Sequence, residues 1–166
     1  MEAKILYISD YKRRKGLMGI KLNYGQINSA DFNQSLMLLS AQNGFATMQS
    51  SYNVARIVRQ FNKELKTARE LYNNFVKEFT KKDEKGNPVP LSEGATPHPY
   101  CPWELEEGKR AEFDKKIDEF LKVEVEIQSH PLKLSDLGTI KLSPQHLMAL
   151  EPIMDLGDLE PAAAKP

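Results

Sequence analysis

No stretch of this sequence approaches the run of about 18 apolar residues that a membrane-spanning helix needs, so no membrane partner is expected. A secretory pattern is missing too: in "MEAKILYISDYKRRKG" the basic residues follow a very short apolar run instead of preceding a longer one. Cysteine is reduced to Cys101, which permits no internal disulfide and fits a reducing compartment. His98 and Cys101 have the spacing of half a zinc site, yet no second Cys-x2-Cys or His-x3-His half exists, so no metal is expected. The sequence also lacks a Gly-rich phosphate loop, a G-x-S-x-G elbow and an H-E-x-x-H pair.

A catalytic thiol needs a base and an oxyanion donor, and Cys101 between Tyr100 and Pro102 reads as a small loop residue instead. Glu107, Asp114 and Asp118 can share one helical face, but Lys115, Lys116 and Lys122 between and beside them mark a solvated or salt-bridged surface. Neither an enzyme nor a cofactor is expected. What is present suits a folded chain: 28% charged and 40% hydrophobic residues is ordinary globular composition, and 166 residues is the size of one domain.

Net charge is zero, but the signs are segregated. Residues 1–82 carry 14 Lys and Arg against 6 Asp and Glu, whereas residues 83–166 carry 9 against 17. Two explanations compete: a basic surface for nucleic acid or an acidic partner, or two halves that pack together and neutralise one another. Lys12, Arg13, Arg14 and Lys15 form the compact cationic cluster, with Tyr7, Tyr11 and Tyr24 nearby, and Arg56 and Arg59 add two cations on a helix. Nucleic-acid binding there would be weak, strongly salt dependent and largely sequence-blind; a solvated hairpin loop accounts for the same cluster.

Residues 54–79, "VARIVRQFNKELKTARELYNNFVKEF", hold a seam of Val54, Val58, Phe61, Leu65, Ala68, Tyr72, Phe75 and Phe79 at alternating steps of four and three. No Gly or Pro interrupts residues 50–83, so a long helix is expected, with Ser50, Ser51 or Asn53 as its cap. Its seam calls for a partner helix, found either in a second copy or downstream in "PWELEEGKRAEFDKKIDEFL". That second helix, begun at Pro102, would fold back antiparallel and face Arg56, Arg59, Lys63, Lys66 and Arg69 with Glu112, Asp114, Asp118 and Glu119.

The rest is read from period and punctuation. "AKILYIS" and "GIKLNYGQI" suggest a two-stranded ribbon around the basic run, and Ser29 caps a short helix bearing Phe32, Leu36 and Leu39. Five prolines between residues 88 and 102 make a long loop, a binding loop or a mobile segment. "VEVEIQ" alternates as a half-buried strand, "HPLKLSDLGTIKL" supplies one or two more, and "SPQHLMALEP" is a helix capped by Ser143. The expected fold is α+β: a long antiparallel helical hairpin with a short N-terminal helix, a small antiparallel sheet and a short C-terminal helix. Its parts are an N-terminal β-ribbon or extension over 1–28, the main domain over 29–155 with the proline-rich loop at 83–103, and a flexible tail over 156–166.

The order of "ARIVRQFNKELKTARELYNNFVKEF", "KKDEKGNPV", "FDKKIDEFLKVEVEIQSHPLKLSDL" and "KLSPQHLMALEPIMD" resembles a family of small uncharacterised proteins encoded by tailed bacteriophages and prophages, mostly of Gram-positive hosts. The resemblance covers about residues 30–155 and brings no active site with it. It implies a non-enzymatic, phage-encoded protein acting through protein–protein contacts, first as a virion structural or assembly component. The alternatives are an inhibitor of a host defence system (anti-CRISPR-like or other) and a nucleic-acid-binding accessory protein. The partners are then a phage structural protein or a host defence protein, oligomers being allowed, and the place is the host cell cytoplasm or the virion.

Overall fold

Thr47 sets the start of the dominant element. Its backbone is extended and its Oγ1 accepts from the Ser50 amide at 3.0 Å, so the helix opens at Met48, earlier than the Ser50, Ser51 or Asn53 cap expected from sequence. The helix then runs 32 residues, Met48–Phe79, about 48 Å at 1.5 Å per residue.

The computed structural model describes residues 19–156. In chain order these are β1 (Ile20–Asn23), α1 (Tyr24–Asn28), α2 (Ala30–Ser40), α3 (Met48–Phe79), α4 (Arg110–Leu121), β2 (Glu124–Ile127), β3 (Leu132–Lys133), α5 (Pro144–Leu150) and β4 (Met154–Asp155). Single 3-10 turns, Leu134–Leu137 and Glu151–Ile153, complete the set. The architecture is α+β.

One stripe of α3 serves two apolar clusters. Its first part, Val54, Ile57, Phe61, Leu65 and Ala68, is buried against β1, α1 and α2, with Phe32 and Phe61 5.3 Å apart ring to ring and Val58 partly covered. Ile127, Leu132, Leu150 and Ile153 close this cluster from the carboxy-terminal third. The second part, Val76 and Phe79 with the half-buried Tyr72 and Phe75, packs on Phe113, Ile117 and Cys101. Phe79 and Phe75 meet Phe113 at 5.7 and 6.2 Å, while Phe75 and Tyr72 meet Phe120 at 5.3 and 6.2 Å. Descending α3 thus matches ascending α4, and the two helices are antiparallel. The chain's own residues occupy the seam.

Other expectations need correction. β1 pairs antiparallel with β2, Ile20 opposite Ile127 and Leu22 opposite Val125; "AKILYIS", its expected partner, lies outside the described residues. That pairing buries Ile20 and Leu22 in the main cluster, so residues 20–28 are built into the core instead of appended to it. The strand also stops early, because Asn23 and Gln26 form a reciprocal capping box, amide to side-chain oxygen at 2.8 and 2.9 Å, that turns the chain into α1.

α4 begins at Arg110, not Pro102: residues 103–105 are engaged in backbone bridges, and Gly108, at φ +79°, turns the chain just before the helix. In the last third, β3 pairs parallel with β4, while Ile140 and Leu142 form no strand. Ser143 caps α5 as expected, its Oγ accepting from the His146 amide at 3.3 Å.

The turn after residues 134–137 demands glycine. Gly138 has φ +57°, and a Cβ there would lie 2.4 Å from the Gly44 carbonyl oxygen and 2.6 Å from the Ala46 nitrogen, both backbone atoms that cannot give way. Around it the Thr139 amide donates to the Gly44 carbonyl at 2.9 Å and the Ala46 amide to the Asp136 carbonyl at 3.1 Å. Gly138→Ala is expected to cost about 2 kcal/mol or more through strain and lost contacts, lowering the melting temperature by several degrees in a calorimetric scan.

Candidate interaction surface

Proline removes five amide hydrogens from the long loop, and several of those that remain fix its base. In "NPVP" the residue between Pro88 and Pro90 is Val89, whose amide donates to the Lys81 carbonyl at 2.9 Å. The Lys81 amide donates to the Glu104 carbonyl at 2.8 Å, and the Glu104 amide returns to the Val89 carbonyl at 2.9 Å. Three backbone groups from three separated segments therefore close a ring of hydrogen bonds at the base of the loop. Lys81 and Glu104 add a side-chain pair at 3.2 Å on the same site. The segment expected to be a mobile or binding loop is cross-bonded where it leaves and rejoins the helices.

Within the loop, Asp83 organises the turn "DEKGN". Its carboxylate accepts from the Asn87 amide at 2.8 Å and the Lys85 amide at 2.9 Å, and Gly86 takes φ +81°. The Asn87 backbone bond above all holds the Asp83 carboxyl below the usual aspartate range.

The far side of the loop is clamped to the helices. His98 Nδ1 accepts from the Tyr100 amide at 3.1 Å, so the ring carries its proton on Nε2 and donates to Asp114 of α4 at 2.7 Å. The ring also meets Phe113 edge-on at 5.0 Å. Tyr72 of α3 donates its hydroxyl to the Tyr100 carbonyl. Between these anchors Cys101 is 1% exposed, and its thiol donates to the Trp103 carbonyl at 3.5 Å.

This arrangement decides the chemistry of the Cys–His pair. Both ring nitrogens of His98 are engaged, leaving none to take a proton from the thiol, and burial pushes the Cys101 pKa up, away from the nucleophilic thiolate. The pair fastens the loop. What the loop presents instead is aromatic: Tyr100 and Trp103, 44% and 37% exposed, held on clamped backbone. Sequence reading passed over both; Tyr100, Cys101 and Trp103 inside a proline-rich loop were the signal available.

The expected charge pairing across the hairpin does not form. α4 meets the Tyr72-to-Phe79 end of α3, whereas the cations lie nearer the other end, at residues 56–69. Asp114 turns to His98, Glu119 to Lys115 at 3.9 Å and Lys66 to Glu70 of its own helix at 3.9 Å. Among the described residues no ion pair involves Arg56, Arg59, Lys63 or Arg69. Arg56 is half-buried and Arg59 exposed at the rim of a groove of about 400 Å³ floored by Phe45, Val54 and Val58. Lys12, Arg13, Arg14 and Lys15 lie outside the described residues.

A larger polar cleft, about 490 Å³, opens at the start of α3. Several of its groups bond one another: Ser50 donates to Asp136 at 2.8 Å, the Lys133 amide to the same carboxylate at 2.9 Å, and Asn53 to the His130 carbonyl at 2.9 Å. It latches the helix start to the carboxy-terminal third. Among the described residues, no group of three or more His, Cys, Asp or Glu is placed to hold a metal, and no helix is long and apolar enough to cross a membrane. Comparison with protein-family models, curated proteins and solved structures found no match.

The Asp83 turn gives a pH dependence of definite sign. A carboxyl depressed on folding stabilises the turn above its unfolded value, about 3.9, and that contribution is lost as pH falls through the lower folded value. Following the Lys85 and Asn87 amide shifts by NMR should give a shared midpoint below that value, absent in Asp83→Asn. A midpoint at the usual aspartate value would mean the carboxylate is not bonded.

Proposed function

We propose that this chain is a non-enzymatic, phage-encoded protein that acts through protein–protein contacts as a virion structural or assembly component. The observation that carries the contact itself is the pair Tyr100 and Trp103, exposed on a loop fixed by His98–Asp114, Tyr72 and the ring of backbone bonds. Half-exposed aromatics on rigid backbone are the groups that dominate binding energy at protein interfaces, because little side-chain or loop freedom is lost when they are covered. The phage setting rests on the resemblance in the order of features over residues 30–155.

The test is made on particles. Purified virions from cells carrying the gene should contain the chain by mass spectrometry, and Tyr100→Ala with Trp103→Ala should lower its copy number at least tenfold while leaving its melting temperature within a few degrees. A photo-crosslinker at position 103 should join it to a particle protein. Particles free of the unaltered chain would reject this reading, and crosslinking to a host defence protein in its place would establish the inhibitor alternative.

A further inference from the structure

The sequence from residue 32 to residue 63 contains no Asp or Glu, while Arg56, Arg59 and Lys63 fall within it. The fold gathers part of that stretch around the groove of about 400 Å³ between the end of α2 and the first turns of α3. Phe45, Val54 and Val58 floor it, the exposed Ala55 and Arg59 form its α3 rim, and no acid lines it. That volume lies at the lower end of the range of ligand clefts, enough for roughly two or three side chains.

Beside the groove α3 carries a second, exposed seam. Met48, Tyr52, Ala55 and Arg59 follow one another at steps of four, three and four, the spacing that keeps residues on one helical face. Met48 and Tyr52 are 93% and 65% exposed, so two large apolar groups stand uncovered next to an apolar floor. A seam with this spacing is what a second helix covers. The rim then selects the charge of that helix: Arg59 and Lys63, one turn apart, have no ion pair among the described residues.

We propose that this groove and seam bind an acidic amphipathic helix of a partner protein, its apolar side chains seated over Phe45, Val54 and Val58 and its carboxylates on Arg59 and Lys63. From Met48 to Lys63 α3 rises about 22 Å, which matches about four turns of a partner helix. This site is separate from Tyr100 and Trp103 and stands without them: Tyr72, which holds the Tyr100 carbonyl, lies about 20 Å along α3 from Arg59. A second copy seated by the same face would bring cations to cations. A phosphate backbone would leave Met48, Tyr52 and the apolar floor unused.

Fluorescence anisotropy of the full chain with a labelled peptide of about 18 residues tests the assignment, the peptide carrying Leu and Phe at seam spacing and Glu elsewhere. One control holds the same residues in shuffled order, and another has Lys in place of Glu. The seam peptide should bind about tenfold or more tighter than either control at about 0.1 M salt and shift the amide NMR signals of Phe45, Ala55 and Arg59. Ala55→Glu and Arg59→Glu, both at exposed positions, should each weaken binding about tenfold or more while the melting temperature stays within a few degrees of the parent's. No binding at about 1 mM peptide, equal binding of the shuffled peptide, or binding that neither variant weakens overturns the proposal. Displacement by duplex DNA as readily as by unlabelled peptide also overturns it and marks a phosphate site. A dimer in sedimentation that Ala55→Glu dissociates overturns it in favour of a surface between copies.

Discussion

Burial of a single stripe along α3 is the constraint on which the rest of the molecule depends. A helix of 32 residues cannot cover its own apolar side, and the other elements are arranged to do so in two groups. Near its amino end the cover is layered from β1, α1 and α2, with β2 and the carboxy-terminal third beneath. Near its carboxy end the cover is aromatic, with Phe113 and Phe120 of α4 set among Tyr72, Phe75 and Phe79.

The same division explains where charge is left over. α4 is short, 12 residues against 32, so it shields only the last turns of α3. Its acids are then out of reach of the cations upstream, of which Arg56 is half-buried and Arg59, Lys63, Lys66 and Arg69 are exposed. The exposed aromatics Tyr100 and Trp103 therefore stand toward one end of the long helix, and Arg56, Arg59, Lys63 and Arg69, with no ion pair among the described residues, toward the other. The two surfaces are distinct in chemistry and in position.

Much of the framework was legible because local signals agreed with the tertiary outcome. The α3 stripe, the Ser29 and Ser143 caps and the alternation of Val125 and Ile127 each read directly from spacing. The strand pairing was not legible, since β1 and β2 lie about a hundred positions apart and nothing local distinguishes a nearby partner from a distant one. α4 was drawn too long because Pro102 and the acids after it make a plausible helix start, whereas pairing of residues 103–105 with residues 80 and 90 is a tertiary preference that overrides it. The clamped aromatics were hidden for the same reason: proline content announces a loop but not the ring of amides that fastens it.

That ring separates the loop's interior from the stability of the fold. Lys81, Val89 and Glu104 seal the base, and His98 pins the return strand, so residues 92–97 are exposed and bounded on both sides by fixed points. Substitution or lengthening there adds only slowly growing loop-closure entropy and touches neither apolar cluster. The segment is thus a place where sequence can diversify between otherwise equivalent chains, and where a foreign peptide could be grafted beside two ready-made aromatic contacts.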